Sequence, residues 1–169
     1  IGRVLEATDR ALGREVALKT IPRDLPPAAA ERFLREAKLT ARLDHPQVVP
    51  VYDFGEMPDK SGRKRLYLSM RRIRGRDLAL LLQLIRDGDA DASRKFTRLR
   101  LLVVFQDICL GVAYAHSKGV IHRDLKPSNV MIGDYGETYI VDWGLAKERG
   151  ETGGGWGLPG EPARPGEGA

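Results

Sequence analysis

The run His122-Arg123-Asp124-Leu125-Lys126-Pro127-Ser128-Asn129 gathers a carboxylate, an ammonium and an amide in one short segment, and a second carboxylate opens the triplet Asp142-Trp143-Gly144. Carboxylate and amide oxygens suit a hard divalent cation. A lysine suits a phosphate as a point charge, and a carboxylate beside both can orient a hydroxyl nucleophile. Phosphoryl transfer asks this of a protein, because its transition state needs positioning and charge stabilisation more than covalent chemistry. The gap between the two segments suits a short β-hairpin returning the second carboxylate to the same cleft. Taken singly, an Asp, Asn or Lys is ordinarily a solvated loop residue; the combination reverses that reading.

The two segments resemble the catalytic and metal-binding loops of the protein kinase family, which read His-Arg-Asp, four residues, Asn, and later Asp-Phe-Gly. The resemblance points to a bacterial-type serine/threonine kinase with ATP and Mg²⁺ as cofactors. It implies that Asp124 orients the substrate hydroxyl and accepts its proton, that Asn129 and Asp142 hold magnesium, and that Lys126 meets the γ-phosphate, a mark of the Ser/Thr branch. His122 is expected to pack and hydrogen-bond. Trp143 replaces the family's Phe and is expected to fill its place beneath the helix glutamate and His122. Arg123 resembles the arginine onto which a phosphorylated activation loop docks, and Thr152 is the candidate for that phosphate.

Upstream, Val16-Ala17-Leu18-Lys19 alternates like a strand and matches the Val-Ala-Ile-Lys element, whose lysine clamps the α- and β-phosphates. From Pro27 to Leu43 the sequence predicts a helix with Phe33, Leu34, Ala37 and Ala41 on its apolar face. Glu36 on that helix is the expected ion-pair partner of Lys19, although alone it would be one more solvated helix charge. Gly2-Arg3-Val4 resembles the end of the glycine-rich loop over the phosphates, with Val4 capping the adenine. Leu66 to Met70 reads as a strand that runs into an extended hinge. The resemblance makes Met70 the residue guarding the pocket behind adenine, gives Arg71 and Ile73 backbone contacts to the base, and places Asp77 at the ribose. Ala17 and Met131 complete the implied nucleotide-binding set.

The implied fold is α+β, two-lobed and protein-kinase-like: a small β-rich lobe and hinge over residues 1–75, with the first strand missing, then a partial helical lobe over 76–149. Residues 150–169, rich in Gly and Pro, are expected to be a disordered tail, since they hold too few large apolar side chains to offset their ordering entropy. Thr97 to Lys118 predicts the strongest helix, with Leu101, Leu102, Val104, Phe105, Ile108, Cys109, Val112 and Ala113 on a wide stripe. Asp87 to Lys95 reads as a polar loop. A full kinase domain takes roughly 250 residues, against 169 here, and no Ala-Pro-Glu motif follows Asp142, so the sequence is expected to be a fragment. The long helix would then expose an apolar face able to associate.

Three histidines and one cysteine form no metal-binding pattern. Cys109 reads as a small buried hydrophobe. The net charge of +5 comes from dispersed basic residues without interleaved aromatics, which argues against nucleic acid. No apolar run reaches the ~20 residues of a membrane span. The kinase resemblance implies ATP and proteins bearing Ser or Thr as partners; a cytoplasmic setting is expected, with the oligomeric state left open. The other reading is a nucleotide-binding module without catalysis.

Overall fold

The structure, a computed structural model, describes residues 2–22 and 24–148; the expected tail at 150–169 and Thr152 lie outside them. Strands β1 (Arg3–Asp9), β2 (Arg14–Pro22), β3 (Val51–Pro58) and β4 (Lys64–Arg71) form an antiparallel sheet in the order β1-β2-β4-β3. Its hairpins are closed by local chemistry. Gly13 supplies a φ of 64° between β1 and β2. The Asp59 carboxylate accepts the N–H groups of Ser61 and Arg63 at 2.8 and 3.1 Å between β3 and β4.

Helix α1 (Pro27–Arg42) begins on Pro27, at the position where a missing N–H is harmless. It lays Phe33 and Ala37 against Ile21, Leu66 and Leu68 of the sheet. The buried face also takes in Glu36, Leu39 and Thr40, while Ala41, expected on it, is exposed.

Residues 72–74 carry no strand pairing. Beyond them β5 (Gly75–Asp77) pairs with β7 (Val130–Gly133), which pairs with β8 (Thr138–Ile140). Helix α2 (Leu78–Arg86) is capped by Asp77, whose carboxylate accepts the Leu80 N–H at 2.9 Å. The segment expected to be a polar loop contains helix α3 (Ala90–Lys95). Asp89 caps it by accepting the Ala92 N–H at 2.7 Å, and Ala92 packs with Leu81 and Val104.

Helix α4 (Arg98–Ser117) starts on the Thr97 cap and stops before Gly119, which has a φ of 75°. Its eight apolar positions do not share one stripe, because a period of 3.6 residues spreads them around the axis. Val104, Gly111 and Ala115 are buried, with Ile108 and Val112 packed beside them. Leu102, Phe105, Cys109 and Ala113 face outward. Cys109 is thus an exposed thiol, not the buried hydrophobe expected. By length and composition alone α4 is apolar enough to cross a membrane, which the count of apolar runs overlooked. Within the fold, its two internal charges are engaged. Arg100 donates to the Gly136 carbonyl at 2.8 Å, and Asp107 accepts from the Thr138 hydroxyl at 2.9 Å.

The chain is therefore α+β, with a β-rich lobe carrying α1 and a helical lobe around α2 and α4, the latter closed by a short pair of β6 (Val120–Ile121) with β9 (Lys147–Glu148). Gly75 sits where the two meet. A Cβ there would lie 2.0 Å from the Ile132 carbonyl oxygen, so Gly75→Ala must push β5 off β7. The expected outcome is a loss of about 3 kcal/mol in denaturant unfolding.

Candidate active site

The site begins with strand alternation. Register places Val4 opposite Lys19 and Ala17 opposite Met70, so all four lie on the same face of the small sheet. On that face Lys19 Nζ donates to Glu36 Oε1 at 2.5 Å and to Asp142 Oδ1 at 3.1 Å. The Lys19 and Glu36 side chains retain only 18% and 9% of their exposure, whereas Asp142 keeps 51%. Burial works against the Lys19 ammonium, but the two carboxylates outweigh it and hold its pKa above the ordinary lysine range. Burial also raises the Glu36 carboxyl, against the pull of Lys19. Gly144 leaves room for this cluster, since a Cβ there would come within 3.1 Å of Glu36 Oε2.

Strand β6 delivers His122, which is 3% exposed. Its Nε2 bonds the Val141 carbonyl at 3.1 Å, and its Nδ1 accepts the Asp124 N–H at 3.3 Å. The ring therefore carries its proton on Nε2 and is neutral; burial lowers its pKa below the usual histidine value. As expected, it packs and hydrogen-bonds.

Asp124 Oδ2 accepts from Lys126 Nζ at 2.8 Å and from Asn129 Nδ2 at 3.1 Å. Lys126 foremost, with Asn129, holds the Asp124 carboxyl below its ordinary range. Asn129 also donates to the Asp124 carbonyl at 2.8 Å. Its donor half is thus committed, which leaves the amide oxygen as the part able to face a cation. The Val141 N–H donates to the Asn129 carbonyl at 3.0 Å, bringing Asn129 up to the segment that ends in Asp142. A carboxylate and an amide oxygen are a fitting protein donor set for magnesium, which takes one or two carboxylates and completes its shell with water and phosphate.

Asp142 and Arg123 have φ of 63° and 65°, the two non-glycine residues with positive φ among those described. Such backbone costs of order 1–3 kcal/mol at each residue unless its surroundings fix it. Trp143 fixes the first: it is 1% exposed, and its ring centroid lies 4.6 Å from that of His122. Its indole N–H donates to the Ile140 carbonyl at 3.3 Å. Arg123 donates through Nε to the Leu145 carbonyl at 2.7 Å, a contact not foreseen for a residue expected to await a phosphate. The tryptophan bond was foreseeable in kind, since a buried indole needs an acceptor. The arginine bond was not, because nothing in the sequence places residue 145 opposite residue 123.

The remaining nucleotide-set residues divide between two hollows. Gly2, Lys19, Glu36 and Asp142 line a cavity of about 190 Å³ beneath α1. Val4, Ala17 and Ile73 line a wider cleft of about 720 Å³ at the connection between the lobes. Met70 packs at the edge of the small-lobe core, and Met131 pairs in register with Asp77. The Arg71 guanidinium lies over the Tyr139 ring at 5.6 Å. Asp77 has a structural task the sequence reading missed, the cap on α2.

A two-lobed α+β fold with a buried lysine–glutamate pair, with Asp142 reaching that lysine and with the Asp124–Asn129 loop hydrogen-bonded to the segment that ends in Asp142, defines the kinase class. The chain belongs to the protein kinase family: residues 1–154 match the protein kinase domain. It is 40% identical over 153 residues to the serine/threonine-protein kinase PknD of Protochlamydia amoebophila, a match covering 87% of this chain and 15% of that protein. It is 43% identical over 151 residues to PknD of Chlamydia muridarum, covering 86% and 16%. The chain spans about one-sixth of the length of these relatives.

His122 makes the site sensitive to acid. Its folded pKa lies below the unfolded value of 6.5, so the unfolded chain binds more protons below that pH and stability falls as pH falls. The melting temperature should drop between about pH 7 and about pH 5, and His122→Gln should flatten part of that slope.

Proposed function

We propose that this chain supplies the catalytic core of an ATP-dependent serine/threonine protein kinase, transferring the γ-phosphoryl group to Ser or Thr hydroxyls of proteins. The observation that carries the reading is the convergence of β2, α1 and the loop at 142 on one ammonium, Lys19, with Asp124 and Asn129 held on the adjoining loop. Both the lysine–glutamate pair and the metal-binding aspartate must be in place for this chemistry.

Each residue then has a task. Lys19, braced by Glu36, positions the α- and β-phosphates. Val4, Ala17, Met70 and Met131 enclose the adenine, and the backbones of Arg71 and Ile73 face its edge. Gly2 lies over the phosphates, and Asp77 has its second carboxylate oxygen for the ribose. Asn129 and Asp142 would hold magnesium, which would supply positive charge against the phosphates. Asp124 accepts a hydrogen bond from the substrate hydroxyl. It aligns the hydroxyl oxygen and takes its proton as the phosphoryl group is transferred. Lys126 leaves Asp124 for the transferring phosphoryl group, whose charge exceeds that of a carboxylate. The named activity of the relatives supports the Ser/Thr branch, and dependence on ATP supports a cytoplasmic setting. A purely nucleotide-binding module would not need Asp124 oriented from two sides.

Transfer of radiolabelled phosphate from Mg-ATP to a generic protein acceptor tests the reading. Asp142→Asn should lower the rate at least about a hundredfold while leaving the circular dichroism spectrum unchanged. Undiminished transfer by that variant would remove Asp142 from the metal site.

A further inference from the structure

Strand β1, which carries Val4 over the wider cleft, is the outer strand of its sheet and, among the described residues, pairs with β2 alone. An outer strand with one partner is the part of a sheet most easily lifted. Residues 72–74, across the cleft, have no strand partner among the described residues. Two weakly held segments thus form opposite walls of the same hollow.

One side chain joins them. Arg72 donates through one guanidinium nitrogen to Glu6 of β1 at 2.7 Å and through the other to Glu15 of β2, also at 2.7 Å. Arg74 reaches Glu15 as well, while its carbonyl accepts the Asp134 N–H at 2.9 Å from the turn between β7 and β8. Ile73 is therefore flanked by two arginines tied to the small lobe and by a carbonyl tied to the large one. Arg72 keeps only 24% of its side-chain exposure, although Glu6 keeps 75%, so the arginine is the more enclosed partner of pairs that are themselves open to solvent. A planar fork can hold two carboxylates in fixed directions, which a lysine could not.

We propose that Arg72 is a positioning residue for nucleotide binding: by bridging Glu6 and Glu15 it pins the outer strand to the inter-lobe connection and holds the cleft at the width the adenine requires. This rests on the kinase reading above. The bridge is not part of the chemistry, so its loss should weaken nucleotide affinity and raise the KM for ATP with kcat retained. The pairs are open to solvent and are weakened by salt, whose screening length falls from about 20 Å at ~20 mM to about 4 Å at ~500 mM. The Glu15 carboxyl, held below its usual range by Arg74 and Arg72, stays ionised throughout the neutral range, so salt and not pH is the lever.

The test is a titration of the purified protein with a fluorescent ATP analogue and Mg²⁺ at both salt concentrations, for wild type, Arg72→Gln and Glu6→Gln. The expected result is affinity in the wild type that falls with salt, and roughly a threefold to tenfold weaker affinity in Arg72→Gln at low salt with little further salt dependence. Glu6→Gln, a change at an exposed carboxylate, should lie between the two with an unaltered melting temperature. It keeps the test decisive if Arg72→Gln is unstable. Affinities for both variants matching wild type at low salt would overturn the inference, as would losses that simply track the melting temperature. A wild type that binds no analogue overturns the kinase reading itself, a separate result.

Discussion

A lysine ammonium that keeps under a fifth of its exposure must be compensated, and the structure does this with carboxylates from two other elements, Glu36 of α1 and Asp142. Leaving such a buried charge unpaired costs about 3–5 kcal/mol. That cost sets the relation between β2, α1 and the loop at Asp142, because each can satisfy Lys19 only from one placement. The apolar contacts of Phe33 and Ala37 with the sheet would tolerate a small slide of the helix. The ion pair would not, and helix register therefore follows from electrostatics as much as from packing. The unequal exposure of the two acids separates their tasks. Glu36 is enclosed and serves the fold, whereas Asp142 is half open and has capacity left for a ligand.

The loop at residues 122–129 is arranged around Asp124 by similar logic in a more polar setting. Asp124 accepts from Lys126 and Asn129 on its carboxylate and gives its backbone N–H to His122, so its carboxylate is oriented from two sides and its backbone is anchored by a third bond. Two positive-φ residues bracket this region, Arg123 at its start and Asp142 beyond the hairpin. Each is held by a side chain that hydrogen-bonds a carbonyl, Arg123 by its own bond to Leu145 and Asp142 by that of its neighbour Trp143 to Ile140. The strained backbone stays in place because the surroundings leave it no alternative.

Much of this was legible in the sequence. The spacing of Asp124, Asn129 and Asp142 implied loops joined by a hairpin, and β7–β8 is that hairpin. Alternation around Lys19 gave its strand, and the 3.6-residue pattern gave α1, whereas the inward place of Glu36 came only from the family resemblance, since alone it read as a solvated helix charge. What escaped the sequence depended on partners far along the chain. Cys109 looked buried because apolar neighbours surround it in sequence, yet which side of α4 meets the core is decided by Gly111, where Ile140 and Gln47 crowd the backbone. Helix α3 escaped because its six residues offer too short a period to detect. The double grip of Arg72 on Glu6 and Glu15 joins three charges that read, one by one, as surface residues.

The outward and inward sides of α4 show how the rigid part of the site is founded. Its inward residues Val104 and Ala115 belong to two different apolar clusters, one reaching α2 and the other reaching Trp143 and Ile140. A helix in contact with both would still be free to rotate slightly if it were greasy alone, since dispersion contacts have little directional preference. Arg100 and Asp107 remove that freedom by bonding Gly136 and Thr138 on the β7–β8 hairpin. The Arg100 guanidinium also occupies the space a side chain at Gly136 would need, so the hairpin turn and the helix are fitted to one another. Because the hairpin links Asn129 to Asp142, the two polar bonds on α4 fix the separation of the two groups assigned to the metal.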